Sequence, residues 1–145
     1  MDEREFKFSI MVPVRFSDMD SLGHANNAVY LSYFEEARVH YFRQLFDLPK
    51  DDPASLGFIV LEIRCSFKSP AYYGEILKVY SKISWMKNKS MEMQYLAMGA
   101  EDGRVVAEGS SILVGYDYLN KETVKIPENV RARISEFEQI RVRVD

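Results

Sequence analysis

The run Asp18-Met19-Asp20-Ser21-Leu22-Gly23-His24-Ala25-Asn26-Asn27 gathers two carboxylates, a glycine, an imidazole and two carboxamides directly before a helical pattern. An acid at such a junction lies beside the unpaired N–H groups and positive dipole end that open a helix. Donors of that kind stabilise the oxyanion formed when an activated carbonyl is attacked, and the acid can attack or take a proton from water. Hydrolysis of an activated acyl group is the chemistry that this spacing suits.

Rival chemistries fit less well. Asp18, Asp20 and Gly23 match the first, third and sixth positions of a calcium-binding loop, but Leu22 and Val29 fill its fifth and twelfth and cannot ligate. His24 and His40 are the only histidines and Cys65 the only cysteine, with no zinc-like spacing, so no metal site is expected. Dinucleotide and phosphate-loop glycine patterns are absent, as is a Gly-x-Ser-x-Gly elbow. A plainer reading also stands. Asp18 and Asp20 would shape a turn, Asn26 or Asn27 would cap the helix, and His24 would be a hydrogen-bonded loop residue.

The elements that must hold this segment are legible in the periodicities. Phe8, Ile10, Val12, Val14 and Phe16 alternate with more polar neighbours, marking a strand. Pro13 within it points to an edge position or a bulge. A helix is expected from about Asn27 to Phe46, with Tyr30, Phe34, Ala37, Tyr41 and Leu45 on one stripe. Further apolar residues widen that stripe, so the helix is expected to be enclosed on most sides, with Glu36, His40 and Arg43 as its main polar row. Pro49 stops it, and Asp51-Asp52-Pro53 reads as a polar loop. Four more strands follow: Ile59–Phe67, Leu77–Trp85, Met91–Ala97 and Val105 to about Tyr118. Asp102-Gly103 is a hairpin signal between the last two. A short helix carrying Val130, Ile134 and Phe137 is expected after Pro127. Strand, long helix, then four strands is an α+β order, met by one antiparallel sheet of about five strands around one helix.

At 145 residues the chain suits a single domain, 1–145, and 47% apolar residues supply a core. A net charge of −3 argues against a dedicated nucleic-acid partner. The lone cysteine gives no sign of an oxidising compartment, and neither a secretory signal nor a membrane span is evident, so a cytoplasmic protein is expected.

Arg15-Phe16-Ser17-Asp18-Met19-Asp20-Ser21-Leu22-Gly23-His24-Ala25-Asn26-Asn27-Ala28-Val29-Tyr30, continuing into Tyr33-Phe34-Glu35-Glu36-Ala37-Arg38, resembles the signature of the hotdog-fold thioesterases, in particular the 4-hydroxybenzoyl-CoA thioesterase-like acyl-CoA hydrolases. Phe67-Lys68-Ser69-Pro70 with Gly74, and Lys89-Ser90, extend the likeness over most of the chain. The resemblance implies that Asp20 is the catalytic carboxylate, as nucleophile or general base, with Asp18 a supporting residue. It places the oxyanion donor at the Asn27 backbone N–H. The His24-x-Asn26-Asn27 portion is also similar to acyl-ACP thioesterases, which adds His24 as a polarising or substrate-orienting residue. Nothing marks Glu35 or Glu36 as the helical catalytic Glu of another subclass; a pairing of Glu36 with His40 or Arg43 is expected instead.

Gly23, Asn26, Tyr30, Lys68, Lys89 and Ser90 complete the expected substrate-binding set. Arg64, Lys68, Lys87 and Lys89 are candidates for a basic mouth toward the CoA phosphates. The resemblance implies a homodimer or homotetramer with sites between subunits, and unpaired sheet edges agree with it. No cofactor is expected, CoA being part of the substrate. An acyl-ACP thioesterase, a hydratase lacking its usual signatures, and a non-catalytic acyl-binding protein are the alternatives.

Overall fold

The structure, a computed structural model, describes residues 1–48 and 57–140. The expected stop at Pro49 and the polar loop at Asp51-Asp52-Pro53 lie outside the described residues. The elements run β1 (Phe8–Pro13), α1 (Val29–Phe46), β2 (Phe58–Phe67), β3 (Ile76–Met86), β4 (Ser90–Gly99), β5 (Val105–Asp117), β6 (Glu122–Thr123) and α2 (Glu128–Glu138). The main strands form one antiparallel sheet in the order β1-β3-β4-β5-β2, and β6 adds two residues against β5. The expected α+β architecture is the one observed.

Period-two alternation explains the sheet's inner face. Leu77, Val79, Ser81 and Ile83 of β3 are buried, and so are Met91, Met93 and Tyr95 of β4, all on the side that receives α1. Helix α1 lays Tyr33, Phe34, Ala37 and Tyr41 into that face. Phe34 stacks on Tyr95 with ring centroids 4.7 Å apart. Room for its ring comes from Gly109, where a Cβ would stand 2.5 Å from Phe34 Cε2 and 2.6 Å from the Arg64 carbonyl oxygen.

Three expectations change in detail. β1 ends at Pro13 rather than Phe16, because Phe16–Asp18 turn into a 3-10 helix closed by the Asp18 carboxylate on the Arg15 N–H, leaving Phe16 exposed. Pro13 does lie on an edge strand. The helix starts at Val29, and Asn26 closes its entry from three residues upstream: its side chain takes the Ala28 N–H (2.9 Å) and its carbonyl the Val29 N–H (3.0 Å). Helix α1 is not enclosed on most sides. Leu31, Ser32, Glu35, Glu36, His40 and Gln44 are all exposed. Glu36 does pair with His40, at 3.4 Å.

At the other end of α1, helix α2 packs Val130 and Ile134 into the core. Tyr41 Oη donates to Glu138 (2.6 Å), and Arg131 donates to the Lys87 carbonyl (2.6 Å). No described helix is long and apolar enough to cross a membrane.

Candidate active site

Residues 19–28 form a tight turn standing on Asp18. The Asn26 N–H donates to the Asp18 carbonyl (2.9 Å), Met19 and Ala25 make an antiparallel bridge, and the Asp20 N–H donates to the His24 carbonyl (3.0 Å). Asp20 Oδ1 accepts the Leu22 N–H at 2.9 Å, the local bond that makes Asp favourable in turns. Gly23 closes the turn at φ +86°, a conformation L side chains adopt only under strain.

Asp18 is the anchor. Only 4% exposed, its carboxylate accepts the Arg15 N–H (2.9 Å), Arg15 Nη2 (2.9 Å) and the Tyr33 hydroxyl (2.8 Å). Burial alone would raise its pKa, but the bonds from Arg15 and Tyr33 outweigh that and hold the carboxyl below its ordinary value. Burial and the same carboxylate push the Tyr33 phenol well up, so it stays a donor. Through Tyr33 the turn is fastened to the second turn of α1. The Tyr33 hydroxyl was not legible in the sequence, where that residue reads as one more apolar position on the helix.

At the N-terminal tip of α1 a groove of about 240 Å³ opens between His24, Asn27 and Tyr30 on one side and Phe67, Lys68 and Pro70 on the other. Tyr30 and Phe67 meet across it with ring centroids 5.6 Å apart. Asn26 occupies the neighbouring N–H groups of Ala28 and Val29; the Asn27 N–H has no acceptor among the described residues. An unpaired amide at the positive end of an 18-residue helix is a place for developing negative charge. The His24 ring enters the groove with Nδ1 3.2 Å from the Ala25 carbonyl and 3.9 Å from Asp20 Oδ2. Asp20 itself does not line the groove. Its partly buried carboxylate keeps one oxygen 3.9 Å from the imidazole Nδ1.

Asp20 apart, the expected set separates into three groups. His24, Asn27, Tyr30 and Lys68 come together in the groove, while Gly23 and Asn26 shape the turn and the helix entry. Lys89 and Ser90 do not join them within this chain. Phe67 pairs level with Ala107 and Ala97, whereas Ser90 lies seven residues up β4, roughly 23 Å away at a strand's rise per residue. The strand order places the β3–β4 hairpin at the opposite end of the sheet, with Lys87 over Trp85. Arg64 turns to Glu62 (2.6 Å). The groove's second wall, Phe67 to Pro70 followed by buried Ala71, reads in sequence as the end of a strand. Only its resemblance to the family gave any signal of a role.

Residues 14–134 match the thioesterase-like superfamily. The chain is 31% identical to YsmA of Bacillus subtilis (strain 168) over 120 residues, 83% of this chain and 78% of that one. It is 23% identical over 126 residues to the long-chain acyl-CoA thioesterase FadM of Escherichia coli (strain K12), covering 87% of this chain and 96% of the relative. Among solved structures, a thioesterase from Thermus thermophilus complexed with coenzyme A and zinc superposes with a TM-score of 0.83 at 31% identity. That match covers 94% of this chain and 98% of the other. With its helix-wrapping sheet and this match over most of its length, the chain belongs to the thioesterase-like superfamily, a thioester hydrolase on the hotdog fold.

Proposed function

We propose that the protein hydrolyses acyl-CoA to a free carboxylic acid and CoA in the groove at the tip of α1. The observation that carries this reading is the unpaired Asn27 N–H in a groove shared with His24, with an Asp20 carboxylate oxygen 3.9 Å from the imidazole Nδ1. FadM is a long-chain acyl-CoA thioesterase, and the T. thermophilus structure holds coenzyme A, which supports the choice of substrate class.

In this reading the thioester oxygen takes the Asn27 N–H, which strengthens its hold as the oxygen becomes negative. Asp20 acts by one of two routes. It attacks the carbonyl carbon, the C–S bond breaks with the electron pair leaving on sulfur, and water then cleaves the mixed anhydride and restores the carboxylate. Alternatively it takes a proton from a water that attacks the carbonyl directly. Either way one water is consumed and CoA leaves as the thiol. His24 donates Nδ1–H to the Ala25 carbonyl in this scheme, leaving Nε2 to orient the substrate or the water. Lys68 at the rim meets the CoA phosphates. No cofactor takes part, and the protein acts in the cytoplasm. Edge strand β2, with Val60 (42% exposed), Leu61 (68%) and Phe67 (48%), is the surface through which a homodimer forms.

Free-thiol release across acyl-CoAs of graded length, with acyl-ACP thioesters beside them, tests the reading. The expected result is turnover of at least one acyl-CoA. Tight binding of acyl-CoA without thiol release would establish the non-catalytic alternative, and turnover of acyl-ACP alone would change the carrier.

A further inference from the structure

The connection between β2 and β3 makes the groove wall opposite His24, and its position is set from outside the groove by Arg104. The Arg104 guanidinium donates from Nε to Ser69 Oγ (3.2 Å) and from Nη2 to the Pro70 carbonyl (2.9 Å) and Glu75 Oε1 (2.6 Å), while Nη1 bonds Asp102. Ser69 Oγ donates in turn to the Val105 carbonyl (2.6 Å), and Glu75 Oε2 takes the Tyr72 N–H (3.0 Å). The cluster is closely fitted: a Cβ at Gly99 would strike the side chains of Asp102 and Glu75. Arginine suits the place because one planar group reaches four acceptors in fixed directions, which an ammonium cannot do.

What this clamp holds is the attachment of the catalytic turn. Ala71, next to Pro70 and fully buried, accepts the Ala25 N–H at 2.7 Å through its carbonyl. Its backbone also stands near the Tyr30 hydroxyl and partly offsets the rise that burial causes in that phenol. Ala25 follows His24 in the chain, and Tyr30 stands in the first turn of α1 beyond Asn27. The turn end and the helix end of the His24 side therefore both meet Ala71 of the opposite wall, and Ala71 follows Pro70, which Arg104 holds.

We infer that Arg104 is a positioning residue for hydrolysis, fixing Pro70 and Ala71 where they hold His24 and the Asn27 amide in register with the opposite wall. The inference rests on the groove being the reaction site. The test compares kcat, KM and melting temperature for acyl-CoA hydrolysis by the wild type, Arg104→Ala, Arg104→Lys and, as a remote control, Ile134→Ala in α2. Arg104→Ala should lower kcat roughly 10- to 100-fold, the scale of a small misplacement of reacting groups, with a much smaller change in KM. Guanidinium added well below denaturing concentration should restore part of that loss. Arg104→Lys keeps the charge but loses the fork and should stay impaired. Ile134→Ala should lose melting temperature and keep its kcat. Wild-type kcat per folded molecule in Arg104→Ala would overturn the inference, and so would an equal kcat loss in Ile134→Ala at matched stability. Should Arg104→Ala fail to fold, Glu75→Gln carries the same expectation at smaller amplitude. A wild type inert on every acyl-CoA removes the thioesterase reading itself, whereas an active wild type indifferent to Arg104 removes this inference alone.

Discussion

At the scale of single residues, two carboxylates two positions apart have opposite surroundings. Asp18 is buried and saturated with donors, whereas Asp20 spends one oxygen on the Leu22 N–H and keeps the other near His24. Asp18 is therefore suited to hold the turn, and Asp20 keeps an oxygen for the role proposed. Because the folded-state pKa of Asp18 lies below its ordinary value, its contribution to stability is present above about pH 4 and is lost as pH falls through the depressed pKa. Asp18→Asn should cost about 2 kcal/mol at neutral pH, and melting curves at decreasing pH should show the gap to wild type closing in acid. The resemblance singled out both acids, but it did not report the depth at which Asp20 sits. Period and spacing do not report side-chain direction within a turn, so only the structure puts His24 rather than Asp20 in the groove wall.

At the scale of elements, two contacts fix where α1 lies. Near its N-terminal half, Phe34 fits the gap left by Gly109 against Tyr95. Gly109→Ala should destabilise by about 2–3 kcal/mol, because the new methyl meets a backbone oxygen that cannot yield cheaply; denaturant unfolding measures it. Near the other end, Tyr41 and the Ile83 N–H both donate to Glu138 Oε2. Burial raises the Glu138 pKa despite those bonds and the nearby Lys7 and Lys82. The protonated acid is favoured in the fold, so this group's contribution is greatest below its ordinary pKa of 4.5 and is lost as pH rises through the raised value. Glu138→Gln should accordingly melt higher than wild type at pH 7 and lose that advantage near pH 4. Strands, helices and their order were legible because burial on one face writes a period of two or of 3.6 into the chain. The ends of β1 and α1 were not, since they depend on bonds from Asp18 and Asn26 that no periodicity records.

At the scale of the whole molecule, the groove and the β3–β4 hairpin stand at opposite ends of one sheet. Lys89 and Ser90 can serve a groove only if a second copy brings them there. The exposed apolar side chains of edge strand β2 are the proposed means of joining two copies. Leu61→Lys should shift the protein toward monomer in analytical ultracentrifugation with little change in the melting of the subunit fold. A dimer unaffected by charge on β2 would place the contact elsewhere. Sequence indicated an assembly only by resemblance and by unpaired edges, because which strand ends up at an edge is settled by topology. The proposed chemistry is local: residue 20 supplies the carboxylate that cleaves the thioester. Free-thiol release by Asp20→Asn and wild type, on the acyl-CoA that wild type turns over fastest, tests it most directly when melting temperatures are read on the same samples. A loss of about 10²- to 10⁴-fold in kcat is expected, with the melting temperature unchanged within a few degrees. Full turnover by a folded Asp20→Asn would contradict it.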